Sequence, residues 1–352
     1  MQHAGKWAIA AAAAVLAAPA IAADGEARIY GDFRYALIHS DAEGSPADTD
    51  LAGTNAHAGV SLRVSEGDYT ATVVYERTLA NDDSVAQLDS VRQSYLQVGS
   101  PYGTVIYGRA PTAYKVSGEK LDPFFNTGIG TISGAGFADA PAPVLGPSYG
   151  LSALTSDTVG NGFINNQIAY VSPTLYGVTL NGAVFISENA GDNEDHDFGL
   201  GAEWNHDAIT AGVQYLNLES TLANNPNANF NAGLPVPAEA LRFYGGYKAE
   251  TWGVSASWEP IDLKNGGLDR DYYFGAGWLK VLPQTTVAAS YGNTEGTPFE
   301  GDSLSLGVFH ELFSSLEVYL AARHTDRDAG VSSADYVAGI NFGFSLAHSG
   351  TF

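Results

Sequence analysis

Two short stretches of the sequence carry residue types that could support hydrolytic chemistry. Ser148 lies in a Gly-x-Ser-x-Gly pattern at residues 146–150, the arrangement that places a nucleophilic serine on a sharp strand-to-helix turn. Here the surrounding residues are rich in proline and glycine and predict a loop. His310 and Glu311 begin like the His-Glu-x-x-His motif of zinc proteases, but Ser314 stands where the second histidine would be. We therefore expect no enzyme, no cofactor and no metal centre.

Carboxylates form the second group of chemically capable residues, and they cluster. Hard divalent cations prefer oxygen ligands, so loose cation binding is one interpretation of these clusters. No cluster has the spacing of a calcium loop, and a solvated rim is the other interpretation. The clusters are Asp41, Glu43, Asp48 and Asp50; Asp82 and Asp83; and Asp192, Glu194, Asp195 and Asp197.

The composition excludes several classes of protein. The chain has 352 residues, 39 acidic and 16 basic side chains, a formal net charge of -23, 41 glycines and no cysteine. Disorder is disfavoured by 19 Tyr, 16 Phe and 5 Trp, which supply ample apolar surface. Disulfide and cysteine–zinc scaffolds are excluded, and a nucleic acid would be repelled by this charge.

The N-terminus has the layout of a secretory signal peptide. Lys6 precedes an apolar run from Trp7 to Ala18, which is followed by small-x-small sites around Ala20. We predict a cleaved signal peptide at residues 1–22, with cleavage after Ala23 as the alternative, and a single domain at residues 23–352. An uncleaved membrane anchor is disfavoured, because the alanine-rich run is short and weakly apolar for a span.

From residue 27 onward the hydrophobic period is two, which is typical of half-buried strands. In the first strand Ile29, Phe33 and Leu37 alternate with Arg28 and Asp32. The pattern predicts sixteen strands, at residues 27–39, 55–65, 68–77, 91–99, 103–110, 165–172, 177–187, 196–204, 209–217, 240–248, 252–260, 271–279, 284–292, 302–310, 315–324 and 334–344.

The connections between these strands alternate strictly between short and long. Tight turns at one end and long loops at the other indicate an up-and-down antiparallel barrel, whereas a soluble sandwich has Greek-key crossovers. A barrel of sixteen strands is too wide for side chains to fill. The fold class predicted is therefore all-β: a 16-stranded antiparallel transmembrane β-barrel with short periplasmic turns and long external loops.

The two faces of the strands indicate which side of the barrel faces water and which faces lipid. One stripe is apolar and rich in aromatics near strand ends, and we expect it to face lipid. The other carries groups such as Arg34, Arg63 and Arg92, which a dry core could not hold without a severe desolvation cost. The aromatics expected on the lipid side include Tyr35, Tyr69, Tyr75, Trp204, Tyr215, Trp252, Trp258, Trp278 and Tyr319.

The chain resembles the general porins of Gram-negative outer membranes over nearly the whole mature sequence. The resemblance is carried by residues 27–34, 91–99, 103–109 and 166–173. It implies a homotrimer of barrels surrounded by outer-membrane lipid and lipopolysaccharide. It also implies that the third long loop, about 111–164, folds into the lumen and narrows the pore.

The resemblance further implies a constriction in which loop carboxylates oppose basic groups on the wall. By motif position, Arg92 and Arg109 correspond to wall members and Asp122 to a loop carboxylate. Arg34 and Arg63 are placed on the wall by alternation alone, and Glu119 is placed on the loop by proximity. The chain departs from the family pattern at Val171, where many relatives carry a wall cation, and at its C-terminus.

The function expected is passive diffusion of small hydrophilic solutes and ions through a water-filled pore. Because the mature chain has an excess of carboxylates, small cations should be concentrated at the mouth, so we expect a preference for cations. Neutralising Asp122 should weaken that preference, and Arg109→Glu should raise it. Two alternatives remain: a sugar- or anion-specific channel of the same architecture, and a secreted all-β adhesin.

Overall fold

The computed structural model describes residues 24–54, 56–79, 91–129, 163–186, 197–217, 238–263, 269–296, 300–327 and 331–351. The predicted signal peptide lies outside the described residues. The serine pattern around Ser148 and the part of the long third connection from 130 to 162 also lie outside the described residues. The same holds for the predicted acidic residues Asp82, Asp83, Asp192, Glu194 and Asp195.

The described residues form seventeen strands and one short helix. Among them no helix has the length and apolarity that a membrane-spanning helix requires. The elements are β1 (Asp24–Ala42), β2 (Asp48–Gly53), β3 (His57–Glu66), β4 (Tyr69–Thr78), β5 (Val91–Ser100), β6 (Gly103–Pro111), α1 (Ala113–Glu119), β7 (Phe163–Val171), β8 (Val178–Phe185), β9 (Asp197–His206), β10 (Ile209–Asn217), β11 (Ala238–Lys248), β12 (Trp252–Leu263), β13 (Arg270–Leu282), β14 (Thr285–Glu295), β15 (Gly301–Phe313), β16 (Leu316–Arg327) and β17 (Val331–Thr351).

From β3 to β17 each strand pairs antiparallel with the next strand in the sequence, and β1 pairs with β2, with β3 and with β17, which closes the sheet. That last pairing runs in unbroken register from Asp24 opposite Thr351 to Ala42 opposite Ser333. β2 and β3 lie one after the other along β1 and share a single position in the sheet. The seventeen strands therefore make a closed 16-stranded barrel, and the predicted fold class is confirmed.

The period of two in the sequence becomes the two faces of the barrel wall. On β13 the side chains of Tyr272 and Phe274 are buried on the lumenal face, while Tyr273 between them is 39% exposed on the outer face. All sixteen predicted strands are present, most of them extended by a few residues. Two elements were not predicted: β2, which continues the sheet into the first long connection, and α1.

The lumen is partly filled by residues 121–129, which follow α1. Leu121 packs with Tyr244, Tyr272 and Phe274 in one buried cluster on the lumenal wall. Phe124 and Ile129 pack into a second cluster whose wall members are Ala36, Ile38, Ala288, Phe309, Tyr319, Ala321 and Val337. The apolar groups inside the barrel are thus concentrated where this segment covers the wall.

Two aromatics lie on the opposite face from the one predicted. Tyr319 is 3% exposed and stacks on Phe309 inside the barrel, at a ring distance of 5.7 Å. Trp278 packs against the same cluster. Because the lumenal wall is apolar where residues 121–129 cover it, an aromatic side chain in these strands does not by itself mark the lipid side.

Candidate functional site

The described part of the long third connection begins with a capped helix. The Oγ1 of Thr112 accepts a hydrogen bond from the backbone N–H of Lys115 at 3.1 Å and caps the N-terminus of α1. After α1 the carboxylate of Asp122 accepts from the N–H of Phe124 at 2.8 Å. The first hydrogen bond caps the N-terminus of α1, and the second shapes the turn that follows the helix.

The first of these contacts is a buried ion pair on β11 and β12. The Nε and Nη2 of Arg242 donate to the Oε1 and Oε2 of Glu259 at 2.8 and 3.1 Å. The Nη1 of Arg242 donates to the carbonyl of Tyr114, and to the Oγ of Ser117 at 2.9 Å. The Tyr114 hydroxyl donates to Glu259 at 2.6 Å, and its ring lies 4.0 Å below the guanidinium. We call these four residues the Arg242 node.

A second buried ion pair lies on β4 and β5. The sheet register shifts between Glu76 and Arg77, which makes Arg92 the extra residue of a bulge. The Nε of Arg92 donates to the Oε1 of Glu76 at 2.8 Å, and the hydroxyl of Tyr30 donates to the same carboxylate at 3.0 Å. The Arg92 guanidinium also lies 4.9 Å from the ring of Phe163 on β7.

Lys115 connects α1 to this second pair. Its ammonium lies 4.8 Å from the ring of Phe163, on which Arg92 also stacks, and 5.2 Å from the ring of Phe125. It forms an ion pair with Glu119, one helical turn later, at 2.6 Å. Burial lowers the pKa of Lys115, and the Glu119 carboxylate opposes that shift. We call Glu76, Arg92, Phe163 and Lys115 the Glu76 node.

Further contacts attach the end of the helix to the wall. Lys120 forms an ion pair with Glu203 on β9, whose carboxylate also accepts from the hydroxyl of Tyr244 at 2.5 Å. The Oγ of Ser255 donates to the carbonyl of Leu121 at 2.6 Å. Polar contacts therefore hold α1 and the residues directly after it against the wall. The apolar clusters hold the rest of the segment, up to residue 129.

The predicted wall cations fall into two groups. Arg92 and Arg109 meet at Phe163. Arg109 donates to the carbonyl of Phe163 at 2.8 Å and to that of Val91 at 2.7 Å, from a position where β7 bulges. Arg34 and Arg63 lie elsewhere, on the lumenal face of β1 and β3.

Of those two, only Arg63 has its charge well exposed to the lumen. Arg34 pairs with Asp32 on the same strand, and its side chain is 17% exposed. Arg63 is exposed, four residues before Gly67 in the short turn, and lies opposite Glu26 and Thr72 in the sheet. It belongs to one end of the pore rather than to the level of α1.

The two predicted loop carboxylates are also separated. Glu119 belongs to α1 and pairs with Lys115 near the Arg92 side of the lumen. Asp122 is 5% exposed and faces its own turn. The six predicted residues are thus distributed along the lumen, and their effect on permeation stays a prediction.

The sequence reasoning missed the Arg242 node. Arg242, Glu259 and Tyr114 carry much of the docking of α1, and none of them was singled out. A signal was available, because Arg242 and Glu259 occupy the polar, inward positions of two predicted strands, and Lys115 and Glu119 have the spacing of a helical ion pair. What the sequence did not reveal is which inward charges meet across the lumen.

Several of the basic groups inside the barrel are paired with carboxylates. In the described ranges, six basic groups on the lumenal wall or the loop each have a carboxylate partner: Arg34, Arg92, Lys115, Lys120, Arg242 and Arg323. No group of three or more His, Asp or Glu side chains within those ranges is arranged to hold a metal ion. The arrangement positions a loop in the lumen and places carboxylates beside these six basic groups, whereas Arg109 donates to the carbonyls of Val91 and Phe163.

Comparison with known proteins gives a consistent result. The family profile described as Gram-negative porin matches residues 8–330. An anion-selective porin from Comamonas acidovorans superposes with a TM-score of 0.70 at 17% identity, covering 91% of this chain and 100% of that chain. A trimer form of OmpT from Vibrio cholerae gives 0.62 at 18% identity, covering 91% and 99%. OmpF of Salmonella typhi, in complex with daunomycin, gives 0.61 at 11% identity, covering 92% and 98%. A search of curated protein sequences finds no significant match.

Proposed function

The chain belongs to the Gram-negative porin family, whose members are outer-membrane barrels for passive diffusion, and we propose that its pore passes small hydrophilic solutes and ions with a preference for cations. Removal of residues 1–22 would take away Lys6 and leave 39 acidic and 15 basic groups, a net charge of -24. Such an excess of carboxylates raises the local concentration of cations and lowers that of anions.

The observation that carries the cation preference is the pairing of the wall cations. An anion-selective pore needs uncompensated positive charge along the lumen. Here Arg92 and Arg242 are both buried against carboxylates. Arg34, Lys115, Lys120 and Arg323 also have carboxylate partners. The excess acidic charge of the chain is then left to set the field that an ion meets. The likeness to the Comamonas porin, at 17% identity, concerns the fold and not the preference for cations or anions.

The narrow part of this pore, in our proposal, is formed by the connection 111–164 against the facing wall. Arg34, Arg63, Arg92 and Arg109 would contribute from the wall, and Glu119 and Asp122 from the loop. Support comes from the course of residues 112–129, which run inside the barrel and contact β7, β9, β11 and β12.

The assembly we propose is a homotrimer in the outer membrane, in contact with lipid and lipopolysaccharide, after export with a cleaved signal peptide. A trimer form of the Vibrio cholerae OmpT has a barrel of the same fold. The outer face of this chain carries exposed aromatics near strand ends, for example Trp252 and Trp204 at 44% and 38% exposure, as expected of aromatic girdles at membrane interfaces.

The test is the conductance of refolded protein lacking residues 1–22, in a planar bilayer with a potassium chloride gradient. Stepwise openings in groups of three with a cation-directed reversal potential are expected. An anion-directed potential would keep the channel and overturn the charge argument. Absence of openings from folded, membrane-inserted protein would exclude the channel and favour an adhesin.

A sugar-specific channel is the second candidate, and the position of Trp278 favours it. Aromatic rings along a lumen can stack on sugar rings, and Trp278 lies on the lumenal face together with Tyr30 and Tyr95. Block of the ion current by oligosaccharides distinguishes the two candidates. A block that Trp278→Ala abolishes would establish the sugar channel, whereas an unaffected current supports general diffusion.

A further inference from the structure

The helix α1 presents two nearly opposite faces to two different walls of the barrel. Successive residues of a helix are rotated by about 100°, so Tyr114 and Ser117 share one face while Lys115 and Glu119 share another. The first face contacts Arg242 and Glu259 on β11 and β12. The second lies against Phe163 on β7.

At each of these two walls, the residues that α1 contacts lie beside or belong to a buried ion pair. Arg242 and Glu259 are 2% and 0% exposed, and Arg92 and Glu76 are 9% and 2% exposed. In each pair the guanidinium Nε lies 2.8 Å from the carboxylate oxygen. A compensated pair at this depth exerts little net field on a passing ion, but it holds its hydrogen-bond partners in fixed positions.

We propose that α1 bridges the lumen between the Arg242 node and the Glu76 node, and that these residues set the width and steadiness of the constriction without setting its ion selectivity. This inference rests on the proposed channel function. Arg242 and Arg92 are positioning residues in this scheme: they act on permeation through the place of α1. Selectivity is left to charges in contact with the pore water, such as Arg63.

A double variant separates width from charge. Arg242→Met with Glu259→Met removes the anchor and leaves the net charge unchanged. We expect single-channel conductance to rise by about twofold, because current follows the open cross-section, with more current noise and an unchanged reversal potential. Arg63→Gln is the contrasting variant, for which we expect a more cation-directed reversal potential at unchanged noise.

A second readout follows the helix directly and does not require a current. Val116 lies on α1 with 44% of its surface exposed, and the chain has no cysteine, so a spin label on Val116→Cys reports on this helix alone. The label should become more mobile in the double variant. It should also do so, to a smaller degree, in Ser117→Ala, which loses the 2.9 Å contact to Arg242 and the 2.7 Å hydrogen bond that the Ser117 hydroxyl donates to the carbonyl of Tyr114.

Two outcomes would overturn the proposal. One is a folded double variant with native conductance, noise and label mobility. The other is a shifted reversal potential at native conductance, which would assign the pair to selectivity. If the double variant does not fold, Ser117→Ala carries the same test. Failure of the channel function is distinct, because native protein would then lack openings while the label still reports on the bridge.

Discussion

The carboxylate of Asp122 combines a structural contact with a charge that can act on ions. It accepts from the N–H of Phe124 at 2.8 Å, which an asparagine side chain can also do. Asp122→Asn should therefore keep the turn and the conductance while removing one negative charge. We expect the cation-to-anion permeability ratio to fall by up to about fivefold, since one charge within a screening length contributes at most about 1 kcal/mol.

Asp122→Ala is the matched variant, because it removes both the charge and the acceptor. Reversal potentials and conductances of the two variants in a potassium chloride gradient separate the two roles. A native reversal potential in Asp122→Asn would show that the charge of Asp122 has no part in selection. Altered conductance in Asp122→Ala alone would leave the residue with a purely local role in the turn.

Gly108 is required by the backbone next to Arg109. Its φ is 129°, and a Cβ added there would lie 2.3 Å from the carbonyl oxygen of Ser94. Gly108→Ala should destabilise the barrel by about 2 kcal/mol or more, through backbone strain and overpacking. Urea unfolding in detergent measures the loss. Gly275→Ala is the control, since a Cβ there meets nothing within 4 Å; equal effects of the two substitutions would contradict the argument.

At the scale of elements, β11 and β12 are joined by the buried ion pair of Arg242 and Glu259. Arg242→Met alone would leave the Glu259 carboxylate, which is 0% exposed, without its guanidinium. We expect a loss of about 3–5 kcal/mol in the free energy of unfolding, and a much smaller loss when Glu259→Met is added. A double variant as unstable as the single one would show that the packing of Arg242 matters more than its charge.

The sequence predicted the strands better than it predicted the loop, for a physical reason. A strand in a barrel wall with one apolar and one polar face repeats every two residues, so β1 and β17 are visible as patterns in the chain. Docking of α1 depends instead on partners far apart in sequence, such as Tyr114 and Glu259. Alternation gave the face of each side chain but not its height in the barrel, which is why Arg63 and Arg92 were grouped although they lie at different levels.

The two aromatics predicted on the wrong face lie where the lumenal wall is apolar. Trp278 and Tyr319 were assigned to the lipid face on their chemistry, because the lumen was expected to be polar throughout. Residues 121–129 make part of the lumenal wall apolar. A strand under that segment can therefore be apolar on both faces, and its periodicity no longer distinguishes inside from outside.

At the scale of the whole molecule, the cation preference depends on charge distributed over the barrel and its rims. Ion pairs such as Arg242–Glu259 act over contact distances, and mobile ions hardly screen them in the buried state. A field from many separate carboxylates is screened, because the screening length falls from about 10 Å at 0.1 M salt to about 3 Å at 1 M. Salt concentration should therefore distinguish a distributed origin of selectivity from a local one.

We expect the potassium-to-chloride permeability ratio to exceed one at 0.1 M salt and to approach one at 1 M, measured at a constant concentration ratio across the bilayer. The swelling rate of liposomes in a small neutral sugar serves as the control and should not depend on salt, since pore width does not. A cation preference that persists at 1 M would place the selection at a few charges close to the ion path, such as those at the constriction. A ratio below one at 0.1 M would show that the wall arginines outweigh the acidic excess despite their partners.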